Sequence, residues 1–321
     1  PSPSHFELVA APHSRGMDVE VDSDVYKIAL DIPPQDCVIE VLASTSIGTS
    51  EPAAVHLKWA GSKSPLFKPR LWILAAGLSI YGNRDYALEF PAKDARDISN
   101  AFKQQEGSFY TSVASRVMVD GQATRSAILD GLRWLEHETG RRDVVLIFLA
   151  GHGINDSKTG EYWFLPYDAD LDPKHRVVVS GREVRERLSA IKGRIVLLLD
   201  TCHAGNLSLG KSARDLVDVT RFVNELTASG SGVVVFSAAG SKERSQELPE
   251  WENGAFTKAI LDGLSGAADL DGDGVISMAE IDQYVSKRVR EMTAGEQIPV
   301  VAMPVAIDNF TLAAAGSGRQ R

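Results

Sequence analysis

Two stretches of this chain each end an unbroken apolar run on a single reactive side chain, and together they leave few folds open. In R-I-V-L-L-L-D-T-C-H-A-G, Arg194 to Gly205, five apolar residues from Ile195 to Leu199 follow one another without a polar break. Gly193 precedes the run and a turn-prone A-G closes the stretch, so it reads as a strand buried on both faces of a parallel sheet. Such sheets carry their working surface just past the carboxyl ends of the strands. Asp200, Thr201, Cys202 and His203 stand there. The stretch D-V-V-L-I-F-L-A-G-H-G, Asp143 to Gly153, repeats the design with His152 as its polar group. Gly151 and Gly153 flank that imidazole and leave it uncrowded.

A free cysteine is most often a small buried hydrophobe, and a lone histidine is often a satisfied core or loop residue. Two buried strands that end in the two halves of a thiol–imidazole pair imply more. A cysteine nucleophile needs a base or cation nearby to raise its thiolate fraction. An imidazole can take that proton and later return it to a leaving amine.

From Arg70 onward, strand and helix patterns alternate. Leu71–Leu78 is a buried-strand pattern, 92–105 a helix with Ala95, Ile98 and Phe102 on one face, and Arg116–Val119 a short strand. Thr124 opens a helix whose Ile128, Leu132 and Leu135 share a face, and Ser180 opens another with Val184, Leu188 and Ile191 inward. Gly232–Phe236 gives a fifth strand and Phe256–Leu264 a further helix. The expected class is α/β: a mostly parallel sheet with helices on both faces.

G-H-G after one strand and D-T-C-H-A-G after the next long strand resemble the caspase-like cysteine peptidases, their metacaspase and bacterial caspase-like branch best. The two residues lie 50 apart, a spacing of about 50 being that of caspases. Animal caspases carry Q-A-C-R-G around the cysteine, whereas here Asp200 stands two residues before it. The resemblance covers about residues 70 to 265. It implies Cys202 as nucleophile, His152 as general base and acid, and the backbone N–H groups of Gly153 and Cys202 as the oxyanion site. In metacaspases the acid matching Asp200 lines the pocket for the residue before the cut. A second acid of that pocket lies in the helix after the first strand, and in F-P-A-K-D-A-R-D the matching position is Asp94. Cleavage after Arg or Lys is the implied specificity, because a cation relieves the repulsion of two carboxylates. The structural alternative is that Asp200 caps a neighbouring helix and Asp94 starts its own near the dipole. The loop after the cysteine is often cut during activation in this family, and here Lys211, Arg214 and Arg221 offer self-processing sites; a solvated connector, helical around 216–226, is the competing expectation.

A second motif follows the peptidase-like region. D-L-D-G-D-G-V-I-S-M-A-E, Asp269 to Glu280, fits a calcium-binding EF-hand loop: Asp269, Asp271 and Asp273 at positions one, three and five, Gly274 at the turn, the Val275 carbonyl at seven, Ser277 at nine and Glu280 at twelve. Hard carboxylate oxygens suit Ca2+. Such loops usually pair with a second one, and this sequence has one; a self-stabilised D-G-D-G turn is the alternative.

Residues 1–60 alternate apolar and polar positions between turn compositions and read as an all-β segment. V-I-E-V-L-A-S-T-S-I-G-T-S-E-P-A-A-V-H-L-K-W resembles the last strands of an immunoglobulin- or fibronectin-like sandwich. Such sandwiches need about seven strands, so a missing N-terminal partner domain is expected. Gly61–Pro69 is the expected linker and 70–321 the peptidase-like domain. The net charge of −9 argues against a nucleic-acid partner or an anionic membrane. No apolar run reaches the ~20 residues of a membrane span. Two cysteines, Cys37 and Cys202, cannot build a disulfide framework and favour a reducing compartment such as the cytoplasm. The resulting expectation is a cysteine endopeptidase acting on protein or peptide substrates, calcium-responsive through its acidic loop. The alternatives are a catalytically silent caspase-like scaffold and a calcium-binding interaction module.

Overall fold

The computed structural model describes residues 18–22, 25–29, 37–41, 44–45, 48–58, 68–156, 158–203, 219–228, 232–238, 247–248, 251–304 and 309–316. The chain divides into two compact units, Pro1–Lys68 and Pro69–Arg321. The first holds three antiparallel ladders: β1 (Asp18–Asp22) with β2 (Val25–Ala29), β3 (Cys37–Val41) with β6 (Ala53–Leu57), and β4 (Ser44–Thr45) with β5 (Gly48–Thr49). Gly48 and Thr49, the start of the G-T-S-E-P stretch expected as a turn, instead form β5.

The second unit is built on one sheet. In chain order its elements are β7 (Arg70–Gly77), α1 (Pro91–Lys103), β8 (Ser112–Val119), α2 (Arg125–Glu138), β9 (Val144–Asn155), β10 (Tyr162–Phe164), β11 (Val179–Ser180), α3 (Gly181–Ala190), β12 (Arg194–His203), α4 (Val219–Ala228) and β13 (Val233–Ser237). The hairpin β14 (Glu247–Leu248) with β15 (Asn253–Gly254) leads into α5 (Ala255–Asp262). The chain ends with β16 (Val275–Ser277), α6 (Met278–Met292), β17 (Val300–Ala302) and β18 (Thr311–Ala314). Strands β8, β7, β9, β12 and β13 lie side by side and parallel, and β17 closes the order antiparallel to β13. Beyond the end of β7, β9 continues and takes β10 as its antiparallel neighbour.

The unbroken apolar runs are explained by helices on both faces. Val145, Ile147, Leu149, Ile195, Leu197 and Leu199 belong to the core under α2, α3 and α4. Their alternates Val144, Leu146, Phe148, Val196 and Leu198 belong to the core under α1, α5 and α6. A strand with two dry faces has no position for a polar side chain. Helix starts follow their caps: Thr124 Oγ1 accepts from the Ala127 N–H, and Ser180 forms a reciprocal cap with Glu183.

Three features differ from the expectation. Strand β12 does not stop at Leu199 but continues in register with β9 through His203, so Asp200 to Cys202 still belong to the ladder. Strand β8 starts at Ser112, because Ser112–Ser115 pair with Arg70–Ile73 although S-V-A-S lacks an apolar run. Strand β17 is short and only partly buried, too weak a pattern to stand out.

Close approach of α1 to β7 fixes one glycine. A Cβ on Gly77 would stand 2.0 Å from the Pro91 carbonyl oxygen, which is backbone and cannot rotate away. Gly77→Ala is therefore expected to cost about 2–3 kcal/mol and to lower the melting temperature by roughly 5–10 °C. A calorimetric scan within 1–2 °C of wild type, on the order of the shift a neutral surface change gives, would show that α1 has room to move.

Candidate active site

The β9–β12 ladder places the two expected catalytic residues opposite one another. Cys202 is the direct Cα partner of His152, with Thr201 opposite Gly151 and His203 opposite Gly153. Neighbouring strands are about 4.8 Å apart, so the backbone alone puts the thiol-bearing residue beside the imidazole-bearing one.

His152 is buried, and its environment selects one tautomer. Its Nε2 lies 2.9 Å from the Tyr86 carbonyl oxygen. A carbonyl only accepts, so Nε2 carries the proton and Nδ1 keeps its lone pair. Nδ1 is buried and has no hydrogen-bond partner among the described residues. Burial pushes the imidazole pKa below its ordinary value of 6.5, opposed by the Tyr86 carbonyl. The ring sits against Tyr81, with centroids 5.3 Å apart, and edge-on to Tyr86 at 6.1 Å. The Tyr81 hydroxyl accepts the His152 backbone N–H at 2.8 Å.

The loop after β7 supplies both tyrosines and is itself pinned. Asp120 Oδ1 accepts the N–H groups of Ser79 and Ile80, each at 2.9 Å. The glycines beside His152 are required by these neighbours more than by the imidazole. Gly151 has φ 146°, and a Cβ there would stand 2.5 Å from the Tyr81 hydroxyl. A Cβ on Gly153 would press into the Tyr162 ring at 2.8 Å. The His152 N–H and C=O both bond away from β12, to Tyr81 and to the Leu165 N–H. Strand alternation therefore turns the Gly153 N–H toward β12.

A pH profile tests this environment. The folded-state pKa of His152 lies below the unfolded value. Its contribution to stability is thus present above pH 6.5 and lost as the pH falls toward the folded pKa. The base form persists at mildly acid pH, and the acid limb of kcat/KM is expected below pH 6.5. A limb centred above about 7 would contradict a desolvated, neutral imidazole.

Asp94 and Asp200 converge from different elements. Asp94, on α1, is 1% exposed and Asp200, on β12, is 5% exposed. A Cβ built on Gly254 would lie 3.2 Å from Asp200 Oδ2 and 3.3 Å from Asp94 Oδ2, so both carboxylates close on the same side of Gly254. Asn253 Nδ2 donates to Asp94 Oδ1 at 2.7 Å, and the Thr257 hydroxyl donates to Asp200 Oδ2 at 2.8 Å. Tyr81, Tyr86, Asn253, Gly254 and Thr257 had no distinguishing sequence signal. Tyr86 acts through its backbone, N-G reads as a turn, and Thr257 lies inside a helix pattern.

Of the expected self-processing positions, Lys211 and Arg214 lie outside the described residues. Arg221 sits in α4, with its guanidinium on Glu225 and on the Thr159 carbonyl. Peptidases read extended chain, so α4 would have to unwind for a cut there.

The acidic loop follows α5. Asp269, Asp271 and Asp273 bring one carboxylate oxygen each within 4.8 Å of one another, and Asp269 Oδ1 is buried without a partner among the described residues. Gly274 takes φ 87°. Burial pushes the Glu280 carboxyl up, but hydrogen bonds from Ser277, Leu270 and Asp271 outweigh it and hold the carboxyl below its usual range. The strand of this loop, β16, which carries Val275, is paired with β18. The donor set fits a hard divalent cation.

The chain matches the family described as Caspase domain over residues 72–310. It belongs to the caspase domain family. A crystal structure of a protein from Geobacter sulfurreducens superposes with a TM-score of 0.53 at 17% identity, covering 75% of this chain and 95% of that one. At that identity the likeness concerns the fold. No curated protein matches the chain. The caspase domain match makes this chain a member of a cysteine-type peptidase family, with protein or peptide substrates. Among the described residues no helix is long and apolar enough to cross a membrane.

Proposed function

We propose that this chain is a cysteine endopeptidase of the metacaspase-like branch that cleaves after Arg or Lys. The observation that carries the reading is the register of Cys202 opposite His152, with Nδ1 left as the free base. In this mechanism Nδ1 takes the Cys202 thiol proton and the thiolate attacks the scissile carbonyl. By the family resemblance the N–H groups of Gly153 and Cys202 hold the oxyanion, which requires both to leave the β9–β12 ladder. The proton then passes from Nδ1 to the leaving amine, and water hydrolyses the acyl-enzyme. Tyr86 keeps the other ring nitrogen protonated throughout. The paired carboxylates of Asp94 and Asp200 receive the basic side chain before the cut. Self-processing falls to Lys211 or Arg214 in preference to the helical Arg221. The N-terminal unit is read as an immunoglobulin- or fibronectin-like piece from its sequence resemblance alone.

The test is a panel of fluorogenic peptides that differ at the residue before the scissile bond, run with and without calcium. The expected result is hydrolysis with a strong preference for Arg and Lys at that position. Failure of the wild type on every peptide, at every calcium level, would instead favour a silent scaffold.

The acidic loop is assigned to Ca2+, held by Asp269, Asp271, Asp273, the Val275 carbonyl and Glu280; the ion would cross-link the loop between α5 and α6. Binding to the folded state alone stabilises it by mass action, about 2.7 kcal/mol at a hundredfold excess over Kd. Millimolar calcium is expected to raise the melting temperature of the wild type and not of Asp269→Asn. Identical shifts in both proteins, or no calcium heat in calorimetry, would remove the assignment.

A further inference from the structure

The two acids of the recess are held by a short segment to which the mechanism above gives no role. Asp94 and Asp200 are almost fully buried. A buried carboxylate is tolerated only where donors replace its water. One turn of chain supplies donors to both. Asn253 Nδ2 bridges Asp94 Oδ1 and Asp97 Oδ2, at 2.7 and 3.0 Å. The Gly254 N–H donates to Asp94 Oδ2 at 3.3 Å, and Thr257 Oγ1 donates to Asp200 Oδ2 at 2.8 Å. Asn253 and Gly254 form β15, and Thr257 lies in the first turn of α5, whose N-terminal end favours negative charge.

These donors are neutral, so they hold the carboxylates without themselves supplying a counter-charge. They also aim the carboxylates. A carboxylate with one oxygen taken by a buried hydroxyl has little freedom to rotate, and Thr257 is 0% exposed. Gly254 permits this approach: a Cβ there would press on both Oδ2 atoms.

We infer that Asn253 and Thr257 are positioning residues that set the geometry of the Asp94–Asp200 pair, and that with Gly254 they determine the preference for a basic substrate residue. The inference rests on the Arg/Lys reading above. A planar guanidinium or an ammonium bridging two acids gains its strength from fixed oxygens. Loss of one donor leaves the carboxylate in place but lets it turn.

The test uses the full chain with Thr257→Val, which keeps the shape and removes the donor, Thr257→Ser, which keeps the donor, and Asn253→Ala. Each is assayed on matched peptides with Arg or norleucine before the scissile bond. Melting temperature and the rate of Cys202 alkylation by iodoacetamide report the fold and the thiol. Thr257→Val is expected to raise KM for the Arg peptide about tenfold, roughly the value of one charge-assisted hydrogen bond. The change in kcat should be smaller, and the Arg-to-norleucine preference should fall at least fivefold, roughly 1 kcal/mol of discrimination. Thr257→Ser should stay close to wild type, and Asn253→Ala should move in the same direction as Thr257→Val. Wild-type kinetics in Thr257→Val, equal losses on both peptides, or a Thr257→Ser variant as impaired as Thr257→Val would overturn the inference and leave the Arg/Lys reading standing. Should the wild type itself show no preference for Arg or Lys, the pocket reading falls and this inference with it. If Asn253→Ala does not fold, the Thr257 pair decides.

Discussion

Cys202→Ala is expected to lower peptide hydrolysis by on the order of 10⁴ or more, and His152→Ala to do the same, with little further loss when the two are combined. The non-additivity matters more than either loss. A thiol without its base is mostly protonated, and a base without a thiol has nothing to activate. The two residues therefore fail as one unit. Both variants should remain folded, and His152→Ala should lose the decline in stability that the wild type shows as the pH falls below 6.5. The second expectation follows because a buried imidazole with a depressed pKa lowers stability as the pH drops. Measuring kcat/KM for the two single variants and the double variant checks the claim. Substantial activity in Cys202→Ala would require a different nucleophile.

The second large effect concerns the substrate pocket. Asp94→Ala combined with Asp200→Ala is expected to cut kcat/KM on Arg peptides by roughly 10²–10³, the loss associated with stripping a buried cation of its partners. Peptides with an uncharged residue at that position should lose far less. Gly254→Ala should produce the same selective loss by another route, because its methyl would press on both Oδ2 atoms while both charges remain. The agreement of a charge deletion with a steric block would locate the pocket. An unchanged Arg preference in the double variant would mean that the two acids serve only to anchor β15 and the start of α5.

The sheet could be read from the chain because its strands obey one rule. Ile195–Leu199 and Val144–Leu149 are apolar at every position, and the cores under the two helical layers account for alternate residues of each. His152 and Cys202 stood out as a thiol–imidazole pair closing two long apolar runs. The family likeness then suggested roles for Asp94 and Asp200. Illegible were contributions made by backbone or by small polar residues. The Tyr86 carbonyl that fixes the imidazole tautomer would be the same for any residue at that position. Asn253 and Thr257 matter because β15 and α5 return to the end of the sheet from a distance of more than fifty residues beyond Cys202. No local pattern carries such a placement. The pairing of β16 with β18 was equally hidden, since T-L-A-A gives no sign of the loop it supports.

The most direct test of the central claim is site-mapping of an electrophilic peptide. The protein would be treated with a chloromethyl ketone ending in arginine, digested, and the modified cysteine identified by mass spectrometry in wild type and His152→Ala. The account predicts rapid modification of Cys202, none of Cys37 on the same time scale, and a rate at Cys202 reduced at least a hundredfold in His152→Ala, in keeping with the contribution of a positioned base. Equal labelling of both cysteines, or a Cys202 rate indifferent to His152, would contradict it.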